Sequence, residues 1–235
     1  MSLLPTEKTV AKKDPFAATT LIYGHPKVGK SSFCANFPKA LFLATERGLD
    51  YLNVYQVPIT TYEELCEVYK ELKAGNHNFQ TIIIDTVDRL YQIVRDYVMK
   101  KNNIQHESEL EWGKGWEFVS KTFSTVFYNF TNLPMGVVII SHAEQKEEKT
   151  RTGKEVKIYP TLPKKARDLI VNFVDNILYF DTVDTVDAEG KPQTMRVIRT
   201  KPSQAYEAGS RIGDLPDDIP LNYEEYMKAI KGALK

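Results

Sequence analysis

Eight residues near the N-terminus have the types and spacing that bind the phosphates of a nucleoside triphosphate. The segment GHPKVGKS (24–31) matches the pattern G-x-x-x-x-G-K-S/T at each fixed position. Glycines let such a loop turn tightly, so that its backbone N–H groups face phosphate oxygens. Lys30 is expected to bridge the β- and γ-phosphates, with a part in catalysis, and the Ser31 hydroxyl to bind Mg²⁺. The predicted nucleotide-binding residues are Gly24, His25, Pro26, Lys27, Val28, Gly29, Lys30, Ser31 and Ser32.

A second candidate is the aspartate that ends the apolar run IIID. A carboxylate at the end of a buried strand is costly unless it is paired or lies near a metal, so Asp85 is predicted to hold the Mg²⁺ shell. The alternative, an N-cap of the helix that starts near Val87, is compatible with this role.

A catalytic carboxylate is also needed to polarise the attacking water. Many P-loop enzymes have a glutamate directly after the aspartate, but Thr86 stands there in this chain. Glu46, which directly follows the run ALFLAT (40–45), is the best candidate because that strand would lie beside the phosphate loop. A solvated glutamate at a strand end is the alternative.

The elements that would hold these residues alternate along the chain. Nearly continuous apolar runs, typical of strands buried on both faces of a parallel sheet, alternate with helical stretches. This order predicts an α/β fold with a mainly parallel sheet and helices on both faces. The predicted strands cover 19–23, 40–45, 81–85, 136–141, 176–181 and 195–200, and the predicted helices cover 30–37, 61–73, 87–101, 114–132, 164–173 and 222–234.

The composition and the missing motifs exclude several classes of protein. The 235 residues carry 31 basic and 31 acidic side chains, so bulk charge does not predict coating of nucleic acid. Two cysteines without a CxxC pair favour a reducing cytosol, and no apolar run predicts a signal or a membrane span. The histidines lack metal-ligand spacing, and the guanine-reading motif of GTPases is missing. We therefore expect a cytoplasmic protein with no membrane partner.

A charged stretch at 147–157 is a candidate for contact with nucleic acid. Gly153 indicates a hairpin turn there, and Tyr159 lies among the cations. Cations with an interleaved aromatic suit a single strand, because phosphates meet the cations while a base stacks; a solvated hairpin is the alternative. Trp112 and Trp116, four residues apart, favour core or interface packing over base stacking. The predicted DNA-binding residues are Lys149, Arg151, Lys154 and Lys157.

Together these motifs resemble the RecA/RadA branch of ATPases, and more narrowly the phage-encoded RecA-like nucleotide-binding proteins of the single-strand-annealing recombinase group. The resemblance runs from Thr19 to about Leu215 and rests on GHPKVGKS, LATERG, IIIDT and VVIISHAE. It implies a RecA-like P-loop NTPase core that uses ATP and Mg²⁺, with hydrolysis stimulated by DNA or assembly. Glu46 matches the family's catalytic glutamate. Ser141 and His142 match a polar pair that senses the γ-phosphate and signals to a DNA-binding loop, although RecA itself has glutamine at the position of His142.

The resemblance also implies partners. Single-stranded DNA would be the substrate, in annealing or recombination of a phage in its host's cytoplasm, with a phage single-strand-binding protein as a further partner. The chain would form a ring or filament with ATP at subunit interfaces. Arg199 and Lys201, two apart on a predicted strand and so on one face, resemble a pair with which RecA reaches the γ-phosphate of the neighbouring subunit. Two exposed surface cations are the alternative.

Three segments and three functions are expected. Residues 1–17 are predicted to form an arm or linker, 18–215 the RecA-like ATPase core, and 216–235 an acidic loop and a helix packed on that core. Besides action on single-stranded DNA, two other functions stay open. One is a RecA-like ATPase with a protein partner, such as a helicase loader or a packaging or regulatory factor, and the other is an ATP-binding assembly switch with little turnover.

Overall fold

The computed structural model describes residues 4, 6–8, 14–150, 153–187 and 189–234. Within them, strands and helices alternate as the apolar runs predict. The strands are β1 (Thr19–Gly24), β2 (Ala40–Ala44), β3 (Tyr55–Pro58), β4 (Thr81–Asp85), β5 (Gly136–Thr150), β6 (Gly153–Pro160), β7 (Asn176–Val186), β8 (Pro192–Arg199), β9 (Gly209–Ser210) and β10 (Asp218–Pro220). The helices are α1 (Lys30–Cys34), α2 (Tyr62–Ala74), α3 (Val87–Lys101), α4 (Lys114–Thr131), α5 (Lys164–Phe173) and α6 (Tyr223–Ala233).

The central sheet has the order β10-β8-β7-β1-β5-β4-β2-β3. From β7 to β3 each neighbouring pair is parallel, whereas β8 and β10 are added in antiparallel fashion at one edge. The carboxyl ends of β1, β5, β4 and β2 therefore lie side by side. In sheets of this kind, ligands bind at that edge.

Helices cover both faces of the sheet because consecutive strand residues point in opposite directions. In β4, Ile82 and Ile84 pack into a core with α2, α3, α4 and α5, whereas Ile83 packs into a second core with α1 and α6. The predicted α/β fold, with a mainly parallel sheet and helices on both faces, is confirmed.

Local hydrogen bonds explain where two of the helices begin. Thr61 and Glu64 form a reciprocal capping box at the start of α2. Thr86 caps α3, since its Oγ1 accepts a hydrogen bond from the Arg89 N–H at 3.5 Å. The alternative role for Asp85, an N-cap, is therefore wrong, because the next residue takes it.

Several element bounds differ from the sequence prediction. Helix α1 ends at Cys34, three residues before the predicted end, and β3 was missed because most of its side chains are exposed. Strand β5 continues past Ser141 because it leaves the central sheet and pairs with β6 in a two-stranded ribbon. Most of the predicted N-terminal arm lies outside the described residues.

Candidate nucleotide-binding site

The loop between β1 and α1 has the backbone that a phosphate cradle needs. Gly24 ends β1, and a Cβ placed there would lie 2.5 Å from the Phe180 carbonyl oxygen, so the position accepts only glycine. Gly29, just before α1, has φ +113°, a left-handed conformation that glycine adopts without strain. These two glycines fix both ends of the loop.

The motif lysine lies against its own loop. Lys30 is buried, and its Nζ donates to the carbonyl oxygens of Gly24 at 2.9 Å and His25 at 3.0 Å. Burial lowers the pKa of Lys30, because an ammonium with little water is less stable in its charged form. Phosphate oxygens at this place would compensate that cost.

The two predicted magnesium ligands are in direct contact. Ser31 Oγ donates to Asp85 Oδ2 at 2.7 Å, although the residues come from α1 and from the end of β4. Burial raises the pKa of Asp85, which a bound cation would offset. A hydroxyl and a carboxylate are hard oxygen donors of the kind with which Mg²⁺ completes its shell beside nucleotide phosphates. The residues present therefore fit the ion. The described residues include no group of three or more His, Cys, Asp or Glu side chains able to hold a metal alone.

The segment between β2 and Glu46 is hydrogen-bonded to the end of β4, the strand that carries Asp85. Thr45 Oγ1 donates to the Thr86 carbonyl at 2.8 Å and accepts from the Thr86 N–H at 2.8 Å. The Thr45 N–H also donates to the Asp85 carbonyl. These bonds hold Glu46 at the same edge of the sheet as Asp85.

Glu46 and His142 come together at that edge. Glu46 Oε1 lies 3.1 Å from His142 Nε2, and both side chains are partly exposed. This bond lowers the pKa of the Glu46 carboxyl and raises the pKa of His142. The charged forms of the two groups stabilise each other, so the carboxylate stays ionised and available to a water molecule.

Sequence reasoning missed a third carboxylate at this edge. Asp88, on the first turn of α3, accepts hydrogen bonds from Ser141 Oγ at 2.6 Å and from the His142 N–H at 2.8 Å. Burial raises the pKa of Asp88 to about 6. The available signal was a second acid three residues after Asp85, one helical turn away from the strand end.

An arginine beside the phosphate loop was also missed. Arg196 Nη1 lies 3.4 Å from the Val28 carbonyl oxygen, and a Cβ on Gly29 would lie 3.2 Å from the same nitrogen. No carboxylate of the described residues forms an ion pair with Arg196. The sequence put this arginine on a predicted strand but gave no sign that the strand passes the loop.

Comparison with known proteins assigns this architecture to a family. Residues 17–212, more than half of the chain, match the AAA domain family. The chain belongs to that family.

This AAA-family chain is similar to one further protein in sequence and to one solved structure in fold. It is 27% identical over 180 residues to the SPbeta prophage-derived uncharacterized protein YorG of Bacillus subtilis strain 168, a match that covers 72% of the chain and 52% of YorG. The chain thus spans about half the length of that relative. The crystal structure of a KaiC-like protein from Pyrococcus horikoshii OT3 is similar in fold, with a TM-score of 0.50 at 12% identity over 88% of this chain and 85% of that one. The narrower resemblance to annealing recombinases stays a prediction.

The two predicted trans-acting cations have partners within the AAA-family chain itself. Arg199 lies 3.2 Å from Asp181 and 2.7 Å from Asp218. Lys201 contacts two carboxylates of the loop before β10, Asp214 and Asp217 at 3.0 Å each. Because β8 ends at Arg199, Lys201 lies in the loop that follows, and the inference that both residues share one face of a strand is wrong. Their role toward a neighbouring subunit stays a prediction.

The predicted DNA-binding residues lie on the ribbon formed by β5 and β6. Lys154 pairs with Glu147 at 2.8 Å and Lys157 with Glu148 at 3.4 Å, while Lys149 lies opposite Lys154. Arg151 lies outside the described residues. The ribbon therefore presents lysines of which two are already paired with glutamates.

The aromatic residues near the ribbon differ from the prediction. Tyr159 is only 7% exposed and is covered by the Arg167 guanidinium at 4.0 Å from its ring centroid, so stacking of a base on it is wrong for this conformation. Trp112 is 92% exposed and Trp116 is 45% exposed, so core packing is wrong for Trp112. In the described part of the chain, no helix combines the length and the apolar character needed to cross a bilayer.

Proposed function

We propose that the chain binds ATP with Mg²⁺, hydrolyses it, and uses the nucleotide to control binding of single-stranded DNA. The observation that carries the proposal is the contact between Ser31 and Asp85 at 2.7 Å, beside the buried Lys30. Three residues from β4 and from the loop–helix junction thereby meet where triphosphate oxygens and a divalent cation are expected.

The residues of the site divide the work of binding. Backbone N–H groups of the loop and the Lys30 ammonium hold the β- and γ-phosphates. Ser31 and Asp85 hold the Mg²⁺ ion, which supplies positive charge to the phosphates when it is bound. Lys30 Nζ donates to two carbonyl oxygens of the loop. When it donates to phosphate oxygens instead, its buried charge gains an anionic partner.

Glu46 is the group that acts on water. Its ionised carboxylate, kept in that form by His142, can accept a proton from a water molecule placed between it and the γ-phosphate. The resulting attack breaks the bond between the γ-phosphorus and the bridging oxygen and yields ADP and phosphate. Lys30 stabilises the negative charge on the transferred group.

Measurements of ATP turnover and of ATP affinity on the same variants test these roles of Lys30 and Glu46. Glu46→Gln should lower kcat by about 100-fold, the lower range for a lost general base, while ATP binding is retained. Lys30→Ala should lose both turnover and tight binding, because its charge meets the phosphates directly. Glu63→Gln, an exposed glutamate on α2, is the matched control for the charge change. Wild-type turnover in Lys30→Ala would refute the assignment of the loop.

The proposal of DNA as the partner is supported by position. The ribbon of β5 and β6 begins at Ala143, directly after the His142 side chain that contacts Glu46. A change at the nucleotide can thus reach a lysine-bearing ribbon through adjacent residues. The relative YorG is prophage-derived, which supports the phage context of the proposal.

Binding of a labelled single strand at several salt concentrations, with and without ATP, tests DNA as the partner. Neutralising Lys149, Arg151, Lys154 and Lys157 together should weaken binding and flatten its salt dependence. The control neutralises four lysines on helices distant in sequence, Lys100, Lys101, Lys228 and Lys231. Unchanged affinity and salt dependence in the ribbon variant would refute this contact.

A protein partner is the second candidate, favoured by one observation. Lys154 and Lys157 already pair with glutamates of the opposite strand, so the ribbon carries both signs of charge. Such a surface suits a polar protein interface. Absence of salt-dependent DNA binding, together with ATP hydrolysis, would favour this candidate, in which the ATPase loads or regulates another protein.

A further inference from the structure

Asp88 links the nucleotide site to the strand that leads into the ribbon. Its two carboxylate oxygens accept separate bonds from consecutive residues of β5: Ser141 Oγ at 2.6 Å and the His142 N–H at 2.8 Å. Acidic residues in a first helical turn usually bond to N–H groups of their own helix. Here both named bonds run across to the strand, while Thr86 caps the helix.

These bonds lie where β5 changes its partner strand. Pairing of β5 with β1 ends at His142, opposite Gly24, and pairing with β6 begins at Ala143, opposite Pro160. The direction in which the ribbon leaves the sheet is therefore set at the peptide group that Asp88 holds.

His142 is held from three sides at this junction. Its N–H donates to Asp88, its carbonyl oxygen accepts from the Thr161 N–H at 2.9 Å, and its Nε2 contacts Glu46 at 3.1 Å. The first two contacts fix the backbone and the third reaches the nucleotide site. A displacement of the side chain is thereby passed to a backbone that is anchored on α3 and on the segment before α5.

A buried carboxylate such as Asp88 is energetically unfavourable for a contact with a purely structural role. Burial raises the pKa of Asp88 to about 6, although bonds from Ser141 and His142 favour its ionised form. The charged groups that act on it are His142, which favours ionisation, and Glu46, which opposes it. Lys30 is also within electrostatic range of Asp88. The Asp88 carboxylate thus interacts electrostatically with His142, Glu46 and Lys30, the residues proposed to lie around the γ-phosphate.

We propose that Asp88 is a positioning residue that couples the nucleotide state to the ribbon formed by β5 and β6. This inference rests on the proposed function. Asp88 holds residues 141–142 in register with α3, so that movement of Glu46 and His142 on nucleotide binding changes the direction of the ribbon. Without that anchor, the ribbon moves independently of the nucleotide, and the two sites lose their coupling.

The test is the ratio of affinities for single-stranded DNA with and without a non-hydrolysable ATP analogue and Mg²⁺. We expect a ratio of about 10 for the wild type, within the usual range of coupling between sites. Asp88→Ala should bring the ratio close to 1 while affinity for the analogue changes less than about twofold. Asp88→Asn, which can still accept from the His142 N–H and donate to Ser141 Oγ, should retain most of the ratio.

Two further variants keep the result interpretable. Asp96→Ala removes an exposed carboxylate from the same helix and should leave the ratio unchanged. Ser141→Ala removes one of the two bonds and should give an intermediate ratio even if Asp88→Ala fails to fold. A wild-type ratio in Asp88→Ala or Ser141→Ala would overturn the inference and leave the proposed function intact. A ratio of 1 in the wild type would overturn both the inference and the proposed control of DNA binding by the nucleotide.

Discussion

The imidazole of His142 and the carboxylate of Glu46 form one unit, with Nε2 and Oε1 3.1 Å apart although 96 residues separate them in the chain. Their bond lowers the pKa of Glu46 and raises the pKa of His142. The group proposed to activate water and the group proposed to sense the γ-phosphate therefore stabilise each other's charged form, and a change in either one alters the pKa of the other.

Replacement of His142 by Ala should move the acidic limb of the pH–rate profile to higher pH. Without its partner, the Glu46 carboxyl loses the interaction that lowers its pKa, so a larger fraction is protonated and inactive at mildly acidic pH. The measurement is kcat for ATP hydrolysis between pH 4.5 and 8, in about half-unit steps. His77→Ala, on the loop after α2, is the control. An acidic limb at the wild-type position would show that Glu46 is not the group that limits turnover.

Arg196→Ala should weaken nucleotide binding by about tenfold, the value of one charge-assisted hydrogen bond. Its guanidinium lies beside the Val28 carbonyl and has no carboxylate partner in the described ranges, so it is available to nucleotide oxygens. Lys191→Ala removes an exposed cation from the loop before β8 and should not change affinity. Equilibrium binding of a fluorescent ATP analogue gives both values. Equal affinities for Arg196→Ala and the wild type would exclude the contact.

Asp88 should make folding stability fall between about pH 4 and pH 6. Its pKa is raised to about 6 in the folded protein, so in this window the unfolded chain releases the proton while the folded chain keeps it. The contribution is complete below the unfolded pKa and is lost as pH rises through the folded pKa. Asp88→Asn should lack this loss, which is on the order of 2 kcal/mol. Urea unfolding at both ends of the window measures it, and parallel curves for the two proteins would contradict the assignment.

Mixed assemblies should reveal whether Arg199 acts on a neighbouring subunit. If it supplies charge to the γ-phosphate in trans, Arg199→Ala and Lys30→Ala proteins are each inactive, but a mixture regains part of the ATPase activity. Recovery requires interfaces that join an intact loop to an intact arginine. Lys30→Ala mixed with Glu46→Gln, both defective on the same side of the interface, is the control and should show none. Co-assembly without recovery would leave the ion pairs with Asp181 and Asp218 as the role of Arg199.

Local patterns were enough to predict most of the fold. In the described residues, five of the six parallel strands and the six α-helices begin within one residue of the predicted positions, because apolar runs and helical periodicity are properties of neighbouring residues. These strands are β1, β2, β4, β5 and β7. The phosphate loop was predictable for the same reason, since its function depends on eight consecutive residues. The exposed strand β3 was not, because few of its side chains enter the core.

The sequence by itself determined the α/β fold, the phosphate loop and the candidates Asp85, Glu46 and His142. Only the tertiary structure decided which of them meet. The order β1-β5-β4-β2 brings Glu46 to His142 and Ser31 to Asp85, and it turns Asp88 toward β5. The antiparallel return of β8 places Arg196 at the loop, and packing of Arg167 on Tyr159 removes that ring from solvent. Strand order and packing are set by burial summed over the whole core, so no local spacing predicts contacts between residues that are distant in the chain.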